Sequence, residues 1–231
     1  MAVALIVAAG RGERLGSGGP KALVTIYSRP MLEWSVDALR AVPAVGRIVV
    51  ALPADALDCA AEGTIAVAGG AVRSESVLLA LRAAGEHDDP VIVHDAARPL
   101  ATPALFERAL AALAESGADA VIAALPVSDT IKEVEPGSTK VVRTVERARL
   151  WSVQTPQVFR RAALEGALAG ASAAELAAAT DDAWLVEHAG GTVHVVEGEP
   201  GNFKVTVPSD LRAAELALAE RARETEGRGW A

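Results

Sequence analysis

The chain has 231 residues, of which 51% are hydrophobic and only 3% aromatic, and carries a formal net charge of −8. That length suits one unit, expected over 1–231, whose core is built from Ala, Val and Leu. The acidic balance excludes the broad basic face that nucleic acid or an anionic membrane requires, and a single cysteine, Cys59, excludes an internal disulfide framework and a cysteine zinc site. The apolar run at 2–9 has no basic flank before it and is far shorter than a membrane span, so a cytoplasmic protein is expected.

The first predicted element is a buried strand at 3–8. It delivers a glycine-rich loop, Ala8 to Lys21, that carries Arg11, Arg14 and Lys21. Glycine lets backbone N–H groups approach a ligand closely, and three cations beside them suit phosphate. The Walker pattern is excluded, because Lys21 lies between Pro20 and Ala22 and no hydroxyl follows it to hold magnesium. The dinucleotide fingerprint fails at Leu15, although Gly10, Gly12 and Gly16 match a relaxed form. The acid that pattern requires at the end of a second strand is missing, since Glu33 falls in a helix-like stretch. An NAD(P)-binding oxidoreductase stays open at this point as the more distant reading.

Further strands are predicted at 47–52, 64–68, 91–94 and 119–125, with helices at 30–42, 73–86 and 103–116 between most of them. Thr102-Pro103 supplies an N-cap followed by proline at the first helical position. Residues 128–159 change character. Thr130–Val134 and Thr139–Arg143 alternate polar with apolar around Glu135-Pro136-Gly137-Ser138, which predicts an antiparallel hairpin arm. An isolated two-stranded hairpin is marginal, so the arm packs either on its own body or on a second subunit. Helices follow at 160–169 and 180–189, strands at 192–197 and 203–207, and a helix from Pro208 to about Arg223. Ala-rich 162–179 is read as helix with a break near Gly170. The pattern is that of an α/β protein: a Rossmann-like wound, mostly parallel sheet with helices on both faces and a projecting β-hairpin arm.

Ligands of such sheets sit beyond the carboxyl ends of the strands. Gly10, Arg14 and Lys21 follow the first strand, Gly69, Gly70, Arg73 and Ser76 follow 64–68, Asp95 and Arg98 follow 91–94, and Thr130 follows 119–125. Asp95 is placed to hold Mg²⁺ against phosphate oxygens, or alternatively to pair with Arg98 or cap the next helix. With no Gly-x-Ser-x-Gly elbow and no cysteine–histidine pairing, covalent catalysis is not indicated. Cations and a carboxylate without a nucleophile suit in-line phosphoryl or nucleotidyl transfer.

The blocks Ala8-Ala9-Gly10-x-Gly12-x-Arg14, Pro20-Lys21, Gly69-Gly70-x-x-Arg73-x-x-Ser76, His94-Asp95-Ala96-Ala97-Arg98-Pro99, Asp129-Thr130-x-Lys132, Gln154-Thr155-Pro156-Gln157, Thr180-Asp181-Asp182 and Lys204-Val205-Thr206 occur in that order. In them the chain resembles the 2-C-methyl-D-erythritol 4-phosphate cytidylyltransferases. The resemblance implies a magnesium-dependent reaction of CTP with methylerythritol phosphate, giving 4-CDP-2-C-methyl-D-erythritol and pyrophosphate in the non-mevalonate isoprenoid route. It assigns transition-state stabilisation to Arg14 and Lys21 and positioning of the substrate phosphate to Arg147 and Lys204. Nucleotide contacts fall to Ala8, Ala9, Gly10, Gly70 and Ser76, the metal to Asp95, and the methylerythritol end to Asp95, Arg98, Thr130, Thr155 and Thr180. It also implies a homodimer through the 128–159 arm, with the arm of one subunit reaching the other's site. Two positions depart from the family pattern: Val7 stands where proline is common, and Ala71 where an acid is common. A relative using another alcohol phosphate, such as ribitol 5-phosphate, shares the same motifs.

Overall fold

The computed structural model describes residues 1–16 and 18–228. In chain order they form β1 (Ala2–Val7), β2 (Thr25–Ile26), β3 (Arg29–Pro30), α1 (Met31–Arg40), β4 (Val45–Leu52), β5 (Ile65–Ala68), α2 (Arg73–Ala83), β6 (Val91–Asp95), α3 (Pro103–Ser116) and β7 (Ala120–Pro126). Then follow β8 (Ile131–Val134), β9 (Val141–Val145), β10 (Trp151–Phe159), α4 (Arg161–Gly170), α5 (Ala173–Ala178), α6 (Asp182–His188), β11 (Val193–Glu197) and α7 (Pro208–Arg228). A seven-stranded sheet of order β11-β7-β10-β6-β1-β4-β5 carries the fold. Its neighbours pair in parallel except β10, which runs antiparallel to both β6 and β7.

The central strand explains why the sheet is covered on both faces. β1 is apolar without alternation, as a strand buried on two sides must be. Ala4 and Ile6 belong to one core with Leu32, Val36 and Leu39 of α1 and Phe106, Ala109 and Leu113 of α3. Val3 and Leu5 point the other way, into a core shared with Val77 and Leu81 of α2, Leu164 and Leu168 of α4, and Leu185 and Val186 of α6. Each fully buried Leu, Ile or Phe contributes roughly 1.5–3 kcal/mol. A smaller cluster, with Leu15, Met31, Leu100, Val205 and Leu218, seats α7 beside the first loop.

Local chemistry sets the helix ends as the sequence predicts. The Thr102 hydroxyl accepts from the Leu105 N–H, Pro103 opens α3, and Gly117 closes it with φ of 67°. The Ala-rich stretch breaks after Gly170, where Ser172 and Glu175 form a reciprocal capping box for α5.

Two expectations are corrected. The paired strands of the arm span 131–145, whereas 151–159, also assigned to the arm region, is β10 and lies inside the main sheet. Its polar block does not read as a buried strand by apolar pattern, yet Gln154, Thr155 and Gln157 are buried and satisfied by hydrogen bonds to neighbouring elements. Pro156 sits where the pairing with β7 shifts register, a place where a strand tolerates proline. The strand expected at 203–207 is extended chain outside the sheet, anchored by the Val205 N–H on the Ala97 carbonyl at 2.8 Å.

Candidate active site

A cavity of about 540 Å³ opens at the carboxyl ends of β1, β5 and β6. Its first wall is the loop after β1. The Lys21 N–H donates to the Gly10 carbonyl at 3.0 Å, which folds the loop back on itself. Gly12 is required there twice: its φ is +68°, and an added Cβ would lie 2.7 Å from the Lys21 Cβ. The second wall is the turn after β5, pressed so close that a Cβ on Gly69 would lie 2.4 Å from the Ala9 Cβ.

That second turn is locked by its own helix. The Gly70 N–H donates to the Ser76 hydroxyl at 3.1 Å, and the Ala71 N–H donates to Glu75 Oε2 at 2.8 Å. Glu75 thus brings a carboxylate against position 71, where the family pattern carries an acid and this chain has alanine. With both N–H groups committed, the turn offers a ligand acceptors more readily than donors.

Asp95, the last residue of β6, forms the third wall. Arg73 donates to its Oδ1 from Nε at 3.1 Å and Nη2 at 3.0 Å, while Lys204 Nζ lies 2.7 Å from Oδ2. Burial alone would raise the Asp95 pKa, but the charges of Arg73 and Lys204 outweigh it and hold the carboxyl well below its usual range. The expected alternative, pairing with Arg98, is not what forms. Arg98 spends Nη1 on the Asn202 carbonyl and Nη2 on the Val153 carbonyl, tying β10 to the chain before Lys204.

Lys21 has no ion pair or hydrogen bond from its ammonium among the described residues. Burial, together with the neighbouring charges of Lys204 and Arg14, lowers its pKa despite Asp95. A crowded, partly desolvated cation of this kind is relieved by an incoming anion.

The cavity brings together Ala8, Ala9, Gly10, Arg14, Lys21, Gly70, Ser76, Asp95 and Lys204. Arg98, Thr130, Arg147, Thr155 and Thr180 do not line it. Thr155 is buried between β6 and β10, where its hydroxyl accepts from the Asp95 N–H at 3.1 Å and meets His94 Nδ1 at 3.0 Å. His94 Nε2 faces the Arg98 carbonyl at 3.2 Å, which can only accept, so Nε2 carries the proton and Nδ1 receives the Thr155 O–H. Arg147 lies on the exposed 3₁₀ turn Arg147–Arg149 and donates to the Ser128 carbonyl. Thr130 and Thr180 are exposed.

Sequence reasoning left four cavity or cluster residues without a role. Arg11, to which the resemblance assigns nothing, and Thr206 both border the cavity. Arg73 and Asp182 pair across 109 positions. Both stood inside recognisable blocks, but nothing local shows that two helix starts so far apart meet.

The metal expectation is tested by the donor set. Among the described residues no three of His, Cys, Asp and Glu are grouped to hold an ion, so no all-protein cage exists there. Mg²⁺ commonly takes one or two carboxylates and completes its shell with water and substrate phosphates. One ionised carboxylate, Asp95, on the cavity wall fits an ion that arrives with a nucleotide.

Comparison with known proteins agrees with this geometry. A family model described as 2-C-methyl-D-erythritol 4-phosphate cytidylyltransferase matches residues 2–220. The enzyme of that name from Frankia casuarinae is 48% identical over 220 residues, covering 94% of this chain and 80% of the relative. The one from Gloeobacter violaceus is 42% identical over 229 residues, covering 95% and 97%. The crystal structure of the Thermus thermophilus enzyme superposes with a TM-score of 0.79 at 39% identity, covering 95% of this chain and 100% of that one. With a cation-rich cavity at the sheet edge and a family model spanning nearly its whole length, the chain belongs to the 2-C-methyl-D-erythritol 4-phosphate cytidylyltransferase family.

Proposed function

We infer that the protein transfers a cytidylyl group from CTP to 2-C-methyl-D-erythritol 4-phosphate, forming 4-CDP-2-C-methyl-D-erythritol and pyrophosphate for isoprenoid precursor synthesis. Family membership across residues 2–220 is the observation that carries this reading. The cavity supports it chemically. An oxygen of the acceptor phosphate forms a bond to the α-phosphorus of CTP, the bond from that phosphorus to the β-bridging oxygen breaks, and pyrophosphate leaves with the electron pair. No protein nucleophile is needed.

The walls divide the work. The loop from Gly10 to Lys21 supplies cations for the triphosphate, so Arg14 and Lys21 oppose the charge that builds around the reacting phosphorus and leaving group. The turn at Gly70 and Ala71, with its N–H groups committed, faces groups that donate, as the ribose hydroxyls and cytosine amine do. Lys204, held by Asp95 on the opposite wall, takes the acceptor phosphate. Mg²⁺, which Asp95 would hold, would supply further neutralisation of phosphate charge.

We further propose a homodimer through the arm. Ile131, Val134, Val141 and Val142 are 37%, 45%, 52% and 56% exposed, apolar side chains on the two faces of the arm that a lone hairpin does not cover. Arg147 and Thr130 flank this arm and lie off the cavity of their own chain, in keeping with service to a partner's site. Among the described residues no helix is long and apolar enough to cross a membrane. We place the enzyme in the cytoplasm, supported by its supply there of CTP.

The deciding experiment follows pyrophosphate release with CTP, Mg²⁺ and each acceptor in turn. Methylerythritol phosphate should give the higher kcat/KM; preference for ribitol 5-phosphate would overturn the acceptor assignment while leaving cytidylyl transfer intact.

A further inference from the structure

A buried ion-pair cluster stands behind the cavity wall. Arg73 opens α2 and Asp182 opens α6. The Arg73 guanidinium donates from Nε and Nη2 to Asp95 Oδ1 and from Nη1 to Asp182 Oδ2. All three of its nitrogens therefore serve carboxylates already, although the residue borders the cavity. Asp182 is fully buried, and its Oδ1 has no hydrogen-bond partner among the described residues.

The seat under Asp182 is constructed rather than incidental. Gln157 of β10, also fully buried, accepts through Oε1 from the N–H groups of Asp182 and Ala183 at 3.3 Å each. Its Nε2 donates to Asp181 Oδ2 at 2.9 Å. The chain of contacts runs from the sheet centre through Gln157, Asp182, Arg73 and Asp95 to Lys204. A carboxylate buried with one oxygen unpaired is costly to stability, so stability alone does not account for it.

We propose that Asp182 and Arg73 are positioning residues for the transfer: Asp182 holds the guanidinium on Asp95, and Asp95 so fixed directs the Lys204 ammonium into the cavity. Neither touches a substrate. The proposal rests on the reading of Lys204 as the group that takes the acceptor phosphate. Asp182 also keeps Arg73 from acting as a loose cation. Without it, a guanidinium at the edge of a polyanion site turns toward phosphate and takes its contact with Asp95 along. Arginine is required because its planar fork reaches two carboxylates at once, which a lysine ammonium on a flexible stem does not reproduce.

The test compares D182N, R73K and the double variant in steady-state kinetics, with CTP binding by calorimetry and thermal unfolding alongside. Misplacement of about 1 Å costs up to about 10²-fold in rate, so each single variant should lose about 10- to 100-fold in kcat. The CTP Kd should stay within about threefold, and D182N should unfold no more than a few degrees lower than wild type. Because the two act as a unit, the double variant should be no slower than the worse single. Unchanged kcat in both singles, or losses that multiply in the double, would overturn the proposal. If D182N does not fold, R73K alone decides. A Lys204→Ala control separates the two readings. Normal turnover there sinks the role of Lys204 itself, whereas an inactive Lys204→Ala beside normal D182N and R73K sinks only the positioning role.

Discussion

Lys21 and Arg14 differ from Arg73 and Lys204 in having no carboxylate among the described residues committed to them, which leaves their charge for substrate. Lys21→Ala and Arg14→Ala should each lower kcat by about 10²-fold with the fold intact by circular dichroism, as removal of transition-state charge does. Near-normal turnover in both would refute the assignment. Gly69 makes a different demand, that of space. In Gly69→Ala the new methyl would stand 2.4 Å from the Ala9 Cβ and 3.0 Å from the Ser76 Oγ, prising the two loops apart. An overpacking cost of about 1–3 kcal/mol predicts CTP binding weakened by about 10-fold, measurable by calorimetry. His94 sets a pH dependence. Burial lowers its pKa from 6.5 to about 4 against the opposing pull of Asp95. Between those values the unfolded chain binds a proton that the native protein refuses, so stability is full above about pH 6.5 and falls toward pH 4, by up to ~3 kcal/mol. Asp95, held below the usual carboxylate range, adds a loss of the same sign at still lower pH. Urea midpoints should drop between pH 7 and pH 5; a flat profile would mean that His94 is protonated without penalty.

At the level of elements, β10 decides most. It enters the sheet antiparallel between β6 and β7, and the Thr155 hydroxyl joins it to the Asp95 N–H and His94. The resemblance placed Thr155 at the methylerythritol end, whereas the structure gives its hydroxyl two partners inside the protein. Thr155→Val leaves one donor and one ring nitrogen buried and unpaired, so it should cost about 2 kcal/mol in urea unfolding. The acceptor KM should change little in the folded enzyme. A large KM effect with unchanged stability would instead restore a substrate contact. Glu75 teaches a related lesson within one helix: it accepts from the Ala71 N–H from one turn away, so position 71 keeps a carboxylate beside it although its own side chain is a methyl.

For the whole molecule the open question is how many chains build one site. Arg147 and Thr130 lie beside an arm whose apolar side chains are exposed, while the remaining cations proposed for catalysis share one cavity. If the arm serves a partner, an Arg147→Ala protein mixed with a Lys21→Ala protein should regain activity through hybrid dimers, up to about a quarter of wild type for random exchange with one intact site per hybrid. Sedimentation should show a dimer. No recovery despite proven subunit exchange would place the complete site within one chain.

The alternation of strands and helices from β4 to β7, the burial of β1, the cap of α3, the break near Gly170 and the cation-bearing loop were legible in the sequence, because each depends on residues within a few positions of one another. The blocks around Gly10, Gly70, Asp95 and Lys204 pointed to one sheet edge for the same reason: strand ends are local signals, and a wound sheet gathers them. Tertiary structure alone decided which charges are spent and which remain available. Asp95 is held by Arg73 and Lys204 rather than by nearby Arg98, and Asp182 reaches Arg73 from 109 residues away. Whether a charge meets a counter-charge depends on distance in space, which sequence separation does not measure. Only the packed fold therefore distinguishes the cations that hold the site together from those left to face phosphate.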